Sequence, residues 1–549
     1  MKKRLIFSLL TVAAAAGTLF PATAQQPRKP KLIVNIVVSQ MRYDYLDRFG
    51  DNFGENGFRL FMREGVSFTN ARHNYMMTNT PAGLATIATG ANPSGHGVIS
   101  TNWIDYTTKR NISLIEDSDV QAFEADPGAG LYSARNLTAA TLGDRMKEND
   151  ELSKVISIAS SPVSAIVSGG PSADVYWMES GRGNWITSTY FAPQLPAWVS
   201  KYNELKIGDQ FFDQEWALSR SGESYRNSES TIFSPKDGRG GFTREYFRRL
   251  GLLFQREIKR YDPSTLQYTP FGNTLVANFA REVMVQMELG RDEHTDLLTV
   301  CFDSPRLVGE MFGPRSVELE DMYYRLDDEL GDLVAFIFAQ YDRNEVIIVL
   351  TSDHGASDTF REESRVPMGQ FSAQQFKIIM NGFLSAQYEP GEWILDYIDR
   401  QLYLNREMIY TYGFDLNEVQ TRAAAFALQF RGVANAMTST ALQQSYFGDG
   451  YGERIQNSFY PKRSGDVIIN LMPGWIEELP DKVSLSGSLY EYDTHVPLMF
   501  LGGKLNRNRV TRDVDMTSVA PTLARVMQMT PPNASTGKVL EEVAFPYEN

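Results

Sequence analysis

An acidic side chain and an imidazole stand next to each other at the end of one apolar segment of the chain. Asp353 and His354 come directly after Ser352, which itself follows the run VIIVLT. A carboxylate beside an imidazole can be a functional pair. It can also be a turn at the end of a strand, where both groups make only structural hydrogen bonds. The two residues by themselves leave both interpretations open.

A hydroxyl that could do chemistry occurs at Thr80, in the segment TNTPAGLATIATG. Thr suits a helix N-cap, Pro81 suits the first helical position, and Gly90 suits the residue just past the end. The sequence therefore predicts Thr80 as the N-cap of a helix. A hydroxyl there faces free backbone N–H groups and the positive end of the helix dipole, which favours an alkoxide or a bound phosphate. The alternative is a plain Thr-Pro cap.

Apolar segments typical of buried strands alternate with segments of helical periodicity. Strands are predicted at Lys31–Ser39, Lys154–Ser160, Asp296–Phe302, Glu345–Thr351 and Val496–Gly502. Helices are predicted at Ser316–Tyr341 and Thr517–Gln528. Nearly continuous apolar strands that alternate with helices indicate the α/β class, with a mostly parallel sheet covered by helices.

Two long segments interrupt this alternation. Residues 181–270 are aromatic, polar and rich in Gly, and residues 371–462 mix short strands and helices. Ligands of open α/β sheets bind at the carboxyl ends of the strands, so we interpret both segments as insertions that cap a site there. The alternative is that they are ordinary connecting subdomains.

The amino terminus predicts an exported protein. Residues 1–24 combine a basic start, an apolar stretch and a small-x-small ending, which is typical of a cleaved secretory signal peptide. We expect the mature domain, residues 25–549, to be periplasmic or secreted. No later segment reaches the roughly 20 apolar residues of a transmembrane helix. Cys301 is the one cysteine of the chain, so no internal disulfide is expected.

The net charge limits the kinds of partner. The full chain carries a formal charge of −14, and removal of the three basic residues of the signal takes it to −17. This balance argues against nucleic acid held by bulk charge, but it leaves room for a small anionic or phosphate-containing ligand held locally. A protein partner is not indicated.

Several motifs, in this order along the chain, carry a family resemblance. They are IVVSQMRYDY, GVSFTNARHNYMMTNTPAGLATIATGANPSGHGV, FGPRSVELEDMYYRLDDELG, VLTSDHGASD and LYEYDTHVPLMFLGG. Together they resemble the alkaline phosphatase superfamily, above all periplasmic bacterial alkaline phosphatases and nucleotide pyrophosphatase/phosphodiesterases with a Thr nucleophile. The resemblance implies a three-layer α/β/α sandwich with inserted cap segments, and phosphoryl transfer through a phospho-Thr assisted by two zinc ions.

Residue by residue, the resemblance implies part of the family's site. Thr80 matches the nucleophile, Asp353 and His354 match an Asp-His metal-binding pair, and His495 in YDTHVP matches a distant metal-binding His. We therefore expect Thr80 to be catalytic and the other three residues to be candidate metal ligands.

Three positions of the family's metal sites carry other residues. Ser39 stands where the family has an Asp after the first strand. Arg306 and Glu310 keep the spacing of its Asp-x-x-x-His pair but not its residue types. A guanidinium is permanently cationic, so two zinc ions beside it would be electrostatically costly. The remaining histidines, His73, His96 and His294, are not placed to rebuild the site, and we expect His96 to make a structural hydrogen bond.

The segments aligned with the family's substrate contacts also differ. Thr101 and Asn102 precede Trp103 where the family has an Asn before Asp-Trp, so we retain both as substrate contacts to be tested. Ser161 and Val163 align with a Lys-x-Arg pair of the family, and both cations are absent.

These observations give one favoured hypothesis and one alternative. The favoured hypothesis is a member of the superfamily with a degenerate two-zinc site, a pseudophosphatase or weak one-metal hydrolase that binds an anionic ligand or partner. Zinc is expected at one ion at most, or not at all. The alternative is an active phosphomonoesterase or phosphodiesterase that acts through Thr80.

Overall fold

A computed structural model of the protein describes residues 29–211, 214, 216–227, 241–242, 263–359, 367–480 and 482–547. The predicted signal peptide, residues 1–24, lies outside the described residues, as does part of the predicted insertion at 181–270. Both stay predictions. No helix among the described residues is long and apolar enough to cross a membrane.

The strands, in chain order, are β1 (Leu32–Val38), β2 (Val66–Arg72), β3 (Asn102–Asp105), β4 (Arg110–Ser113), β5 (Val155–Ala159), β6 (Asp174–Met178), β7 (Trp185–Ile186), β8 (Trp216–Ala217), β9 (Gly241–Phe242), β10 (Asp296–Phe302), β11 (Val346–Thr351), β12 (Gly369–Phe371), β13 (Ile394–Ile398), β14 (Gln401–Leu404), β15 (Val433–Thr438), β16 (Val467–Leu471), β17 (Trp475–Glu477), β18 (Leu498–Gly502) and β19 (Asn508–Asp515).

The helices, in chain order, are α1 (Tyr45–Arg48), α2 (Phe58–Glu64), α3 (Thr80–Thr89), α4 (Pro93–His96), α5 (Leu142–Asn149), α6 (Pro162–Gly169), α7 (Ala197–Glu204), α8 (Pro270–Gln286), α9 (Ser304–Phe312), α10 (Val317–Gln340), α11 (Ala373–Gln387), α12 (Arg406–Thr411), α13 (Leu416–Ala427), α14 (Ser439–Gln444), α15 (Gly450–Ser458), α16 (Glu491–Thr494), α17 (Val519–Val526) and α18 (Glu541–Ala544).

Nine of the described strands form one central sheet in the order β19-β2-β18-β11-β1-β10-β5-β6-β7. Its middle, from β11 to β6, is parallel throughout, whereas β18 pairs antiparallel with both β11 and β2. The predicted α/β class with a mostly parallel sheet is confirmed. Each of the five predicted strands is present, with ends that differ from the prediction by at most two residues.

The apolar character of the central strands follows from burial on both faces. In β1, the side chains of Leu32, Val34 and Ile36 join one hydrophobic cluster. Ile33 and Val37 join a second cluster on the opposite face. A strand covered on one face only would alternate with polar residues, so the unbroken apolar run reflects two covering layers.

The helix behind Thr80 begins one residue earlier than the sequence predicted. Asn79, not Thr80, is its N-cap, and the Asn79 side chain accepts a hydrogen bond of 3.0 Å from the Ala82 amide. Asn is at least as good an N-cap as Thr, which explains the shift. Gly90 ends the helix with a left-handed φ of 71°, as predicted. The hydroxyl of Thr80 is therefore free for another partner.

A second sheet has the strand order β13-β14-β16-β15 and its own hydrophobic cluster. Three of these strands fall within the predicted insertion at 371–462, and β16 lies just beyond it. The hairpin between β13 and β14 turns through Asp399 and Arg400, whose φ angles are 44° and 63°. The limits of a cap domain stay a prediction.

The polar residues that follow the central strands meet at one edge of the sheet. Ser39 follows β1, Asp303 follows β10, and Ser352 follows β11, and these three strands are adjacent and parallel. Because the carboxyl ends of parallel strands lie on one side, the side chains after them share this edge. Helix α3 packs against the same edge.

One glycine sets how closely α3 approaches that edge. A Cβ atom added to Gly83 would lie 1.9 Å from the carbonyl oxygen of Asp353, far inside van der Waals contact. Gly382, in the middle of α11, has no atom within 4 Å of an added Cβ. The two glycines therefore provide a matched pair for testing the packing of α3.

We expect Gly83→Ala to lower the free energy of unfolding by about 1–3 kcal/mol, because the methyl group forces α3 away from the strand end. Gly382→Ala should raise it by about 0.5–1 kcal/mol, because Ala is the better helix former. Denaturant unfolding of both variants measures the difference. A stabilising effect of Gly83→Ala would contradict the close packing.

Candidate functional site

The Asp353 carboxylate joins the ends of β1 and β11. One of its oxygens, Oδ2, accepts a hydrogen bond of 2.7 Å from the Ser39 hydroxyl. The other, Oδ1, accepts from the backbone amides of Gln40 at 3.0 Å and His354 at 2.9 Å. Asp353 is fully buried. Both oxygens are thus satisfied by donors of the chain, which keeps a buried carboxylate favourable.

Thr80 and His354 are hydrogen-bonded to each other. The Thr80 Oγ1 atom lies 3.0 Å from His354 Nε2. On the other side of the ring, Nδ1 lies 2.7 Å from the carbonyl oxygen of Gly355. A carbonyl only accepts, so Nδ1 carries the ring proton, and in the neutral imidazole Nε2 accepts from the Thr80 hydroxyl. The arrangement is a hydroxyl paired with a base that a third group orients.

Arg306, Glu310 and Lys482 form an ion cluster beside Thr80. Arg306 Nη1 lies 3.3 Å from Glu310 Oε1, and Lys482 Nζ lies 2.7 Å from Glu310 Oε2. The side chains of Arg306 and Glu310 are only 17% and 10% exposed. The cluster contains two cations and one anion, and the carboxylates of Asp303 and Asp353 also act on Arg306.

The pKa values of the pair follow from this cluster. Burial opposes the charge on Arg306, but the nearby carboxylates, Glu310 foremost, outweigh it and raise the pKa of Arg306. Burial likewise opposes the charge on Glu310, but Arg306 and Lys482 outweigh it and hold the pKa of Glu310 below its usual value. Both groups are therefore ionised at neutral pH.

A cavity of about 270 Å³ opens between α3 and the second sheet. It brings together Thr80 with the ion cluster and with residues from three further parts of the chain. Its charged lining consists of three cations, Arg306, Arg400 and Lys482, and three carboxylates, Glu310, Asp399 and Glu477, and its uncharged lining includes Thr80, Thr101, Ser161 and Val163. The Nε atom of Arg306 and the Nη1 atom of Arg400 are buried and have no hydrogen-bond partner among the described residues. Unused buried guanidinium donors are favourable only with an acceptor, so the cavity suits an anion.

The predicted site residues divide into those that share this cavity and those that do not. Of the substituted ligand positions, Arg306 and Glu310 line the cavity. Ser39 is not part of the described lining, and its hydroxyl donates a hydrogen bond to Asp353. Thr101 lines it, whereas Asn102 is not among its described lining. None of the described residues of 181–270 lines this cavity either.

His495 lies apart from the cavity lining that the structure describes. Its ring stacks on Tyr43, with ring centroids 4.5 Å apart, and its Nε2 lies 2.8 Å from the carbonyl oxygen of Thr69. Burial lowers the pKa of His495. The Nε2 atom of His495 is therefore used in a backbone hydrogen bond, and its ring lies outside the described lining of the cavity that contains Thr80.

Two other histidines have structural contacts. His96 Nδ1 accepts a hydrogen bond of 3.0 Å from the Val98 amide, which confirms the structural role predicted for it. His73 lies nearer the site than its place in the motif suggested, with Nε2 3.2 Å from the carbonyl oxygen of Ser352. Burial lowers the pKa of His73 to about 4, so this ring is neutral at pH 7.

The sequence did not point to Lys482 or Arg400. Lys482 is an isolated Lys in a segment without regular secondary structure. Its role depends on its contact with Glu310, which lies 172 residues earlier in the chain. Arg400 lies in the run LDYIDRQLYL, where two short strand-like segments flank Asp-Arg. Alternation on both sides of a polar dipeptide is the signal that could have predicted a hairpin there.

The donor side chains that the structure describes around Thr80 are too few for two zinc ions. Zinc takes about three or four N, O or S ligands. Among the described residues, no three His, Cys, Asp or Glu side chains are grouped so that they could hold a metal ion. Asp353 Oδ2, His354 Nε2 and Thr80 Oγ1 are close together, with 3.5 Å between the first two and 3.0 Å between the last two. They are the donors that a single ion would have to use.

The family assignment rests on the length of the match. Residues 33–487 match the sequence profile of the family described as type I phosphodiesterase / nucleotide pyrophosphatase. The chain belongs to this family. The matched residues include Thr80, the ion cluster and the whole lining of the cavity. Together with the alkaline phosphatase described next, this match confirms the predicted resemblance to the alkaline phosphatase superfamily.

Individual relatives extend the match over nearly the whole chain. A protein of Myroides odoratus named calcium-transporting ATPase is 31% identical over 528 residues, which cover 94% of this chain and 95% of that one. Alkaline phosphatase PafA of Elizabethkingia meningoseptica is 28% identical, with 97% and 98% covered. The crystal structure of wild-type PafA superposes with a TM-score of 0.86 at 27% identity, covering 94% of this chain and 99% of PafA.

A more distant structure shares the fold alone. Murine ectonucleotide pyrophosphatase/phosphodiesterase 5 superposes with a TM-score of 0.52 at 14% identity, with 92% of this chain covered. The central sheet and its helices are therefore common to both proteins.

The coupling between Arg306 and Glu310 can be measured by a double-mutant cycle. Glu310→Met should lower the free energy of unfolding by about 2–4 kcal/mol, because it leaves the buried charge of Arg306 without this carboxylate. Arg306→Met should cost less, because Lys482 still pairs with Glu310. The double variant should recover most of the loss caused by Glu310→Met. Denaturant unfolding of the three variants gives the coupling energy, and strictly additive effects would show that the two side chains do not form a pair.

Proposed function

We propose that this chain is an exported phosphate-ester-binding protein of its family, in which side-chain cations hold the phosphate group at Thr80 in place of a two-zinc centre. The observation that carries the proposal is the cluster of Arg306, Glu310 and Lys482 beside Thr80, with the Nε donor of Arg306 left free. Arginine binds phosphate through paired N–H donors, and Lys adds a point charge.

Helix α3 supports anion binding at the same place. Thr80 is its first residue, so the positive end of the helix dipole lies at the cavity. Pro81 has no backbone N–H and the Ala82 amide is capped by Asn79, so the helix contributes mainly through its dipole. A phosphate oxygen near Thr80 would receive this contribution together with that of the guanidinium. The helix dipole and the guanidinium act in the same small cavity, which the carboxylates of Glu310, Asp399 and Glu477 also line.

The positive charge of Arg306 argues against zinc in the adjacent position. Its guanidinium already neutralises Glu310, the residue aligned with a metal-binding His of the family. A zinc ion there would face a fixed cation at short range and would find few donors. This supports the interpretation of the two-zinc site as degenerate.

The amino-terminal sequence is the basis for the proposed export of the protein. The predicted signal peptide at residues 1–24 supports a periplasmic or secreted protein. The formal charge of −14 on the whole chain argues against a polyanion, and it leaves room for a small ligand held locally by Arg306 and Lys482.

A second candidate function is hydrolysis through Thr80, and the Thr80–His354 hydrogen bond favours it. In this reaction His354 would take the hydroxyl proton as the Thr80 oxygen forms a bond to phosphorus and the ester oxygen leaves with its electron pair. Water would then release the phosphate from Thr80. Relatives named alkaline phosphatase, such as PafA, support a hydrolase of phosphate esters.

Binding of inorganic phosphate to chelator-treated protein tests the first proposal. We expect Arg306→Gln to raise the phosphate Kd by about 10-fold or more, because it removes a charged donor. Arg325→Gln is the matched control, since Arg325 forms the same i,i+4 ion pair with buried Asp321 outside the cavity. Isothermal calorimetry measures all three proteins. Failure of the wild-type protein to bind phosphate would overturn the proposal.

Turnover of an activated aryl phosphate tests the second candidate. Thr80→Ala should lower any hydrolysis by about a thousandfold or more, whereas Thr80→Ser should keep a measurable rate, because the hydroxyl is the nucleophile. Thermal unfolding should be nearly unchanged, since Asn79 caps the helix. Elemental analysis of the same preparation reports the metal: two zinc ions per chain would contradict the first proposal.

A further inference from the structure

Arg400 occupies an unfavourable backbone conformation at the cavity. It is the second residue of the two-residue turn between β13 and β14, and both turn residues have positive φ, 44° for Asp399 and 63° for Arg400. Such turns are usually built with Gly at the second position, because a side chain there is strained. Residues held in sparsely populated conformations cluster at functional sites.

The guanidinium of Arg400 is buried but incompletely satisfied. Arg400 is 5% exposed, and its Nη2 donates a hydrogen bond of 3.2 Å to the carbonyl oxygen of Ser486. Its Nη1 is buried without a partner, and the residue lines the cavity shared by Thr80 and Arg306. A buried charged donor without an acceptor is costly, so a ligand that supplies an acceptor would be favoured.

Two carboxylates, Asp399 and Glu477, line the cavity together with Arg400. Among the described residues, Arg400 forms no ion pair within 4 Å. Asp399 accepts a hydrogen bond from Ser100, and Glu477 accepts one of 2.7 Å from the Tyr397 hydroxyl. Burial raises the pKa of Glu477, and the charge and the backbone N–H of Arg400 oppose that shift. What Arg400 offers the cavity is therefore its buried Nη1 donor, which has no partner among the described residues.

Gly487 fits closely against the guanidinium. It has a φ of +100°, and a Cβ added there would lie 3.3 Å from Arg400 Nη1. The segment around Gly487 thus lies directly against the head of Arg400, which limits the positions that the head can take. A restricted donor gives more binding free energy than a mobile one.

We propose that Arg400 binds the phosphate group of a monoester at the Thr80 cavity, and that it supplies from the β13–β14 hairpin the cation that Ser161 and Val163 cannot supply. Both of those residues line the same cavity and neither carries a charge. The inference rests on the proposed function, and it adds that the second sheet contributes directly to ligand binding.

Arg400→Gly is the sharpest test, because it removes the cation and relieves the backbone strain at once. Inorganic phosphate is the probe, measured by calorimetry on the full mature chain. We expect the Kd to rise about 10- to 100-fold while the melting temperature stays equal or rises. Lys109→Gly is the matched control, since Lys109 is a cation at a φ of 56° in the turn between β3 and β4, outside the cavity lining described here.

The outcomes separate this inference from the proposed function. If Arg306→Gln weakens phosphate binding and Arg400→Gly leaves it within about twofold of wild type, the role of Arg400 is wrong and the proposed function stands. If the wild-type protein binds no phosphate, both are wrong. Arg400→Asn provides a second variant, because Asn tolerates the left-handed conformation. It should weaken binding as Arg400→Gly does, and wild-type affinity in Arg400→Asn would overturn the inference.

Discussion

The site depends on the buried carboxylate of Asp353. It accepts hydrogen bonds from the Ser39 hydroxyl and the Gln40 amide at the end of β1, and from the amide of His354. These bonds fix the ends of two adjacent strands and hold the backbone from which the imidazole projects. The His354 ring then has one orientation, between Gly355 and Thr80. A buried charge with every acceptor used is rigid, and the geometry at Thr80 follows from that rigidity.

The electrostatics of the cavity come from different parts of the chain. Arg306 comes from α9 at the edge of the central sheet, Lys482 from a loop, and Arg400 from a hairpin of the second sheet. The family's zinc-based arrangement concentrates charge on ions held at the strand ends. In the phosphate site that we propose, the cations come from side chains placed by long-range packing, so ligand affinity would depend on the relative placement of the two sheets.

The sequence predicted the central sheet well and the cavity only in part. Strands such as β1 and β10 are buried on both faces, so their sequences are unbroken apolar runs. Such a run is visible in the local sequence, and it predicts the strand without knowledge of its neighbours. Helix α3 was placed one residue late, because Asn79 and Thr80 are both good N-caps and only the tertiary structure decides between them. Arg400 was not predicted because its position depends on pairing between distant strands. The local sequence likewise could not predict the contact between His495 and Thr69, which are 426 residues apart in the chain.

The capping of α3 by Asn79 has a consequence for how such a site can change over time. Because the Asn79 side chain caps the start of α3, we expect the Thr80 side chain to contribute little to folding stability. Substitutions near the Thr80 hydroxyl can therefore change the chemistry of the site without destabilising the fold. Selection for stability does not eliminate them. Ser39 shows the same separation, since a hydroxyl in place of an acid still hydrogen-bonds Asp353 and keeps the strand ends together. A scaffold built in this way can survive the loss or replacement of an ancestral reaction and remain available for a new one.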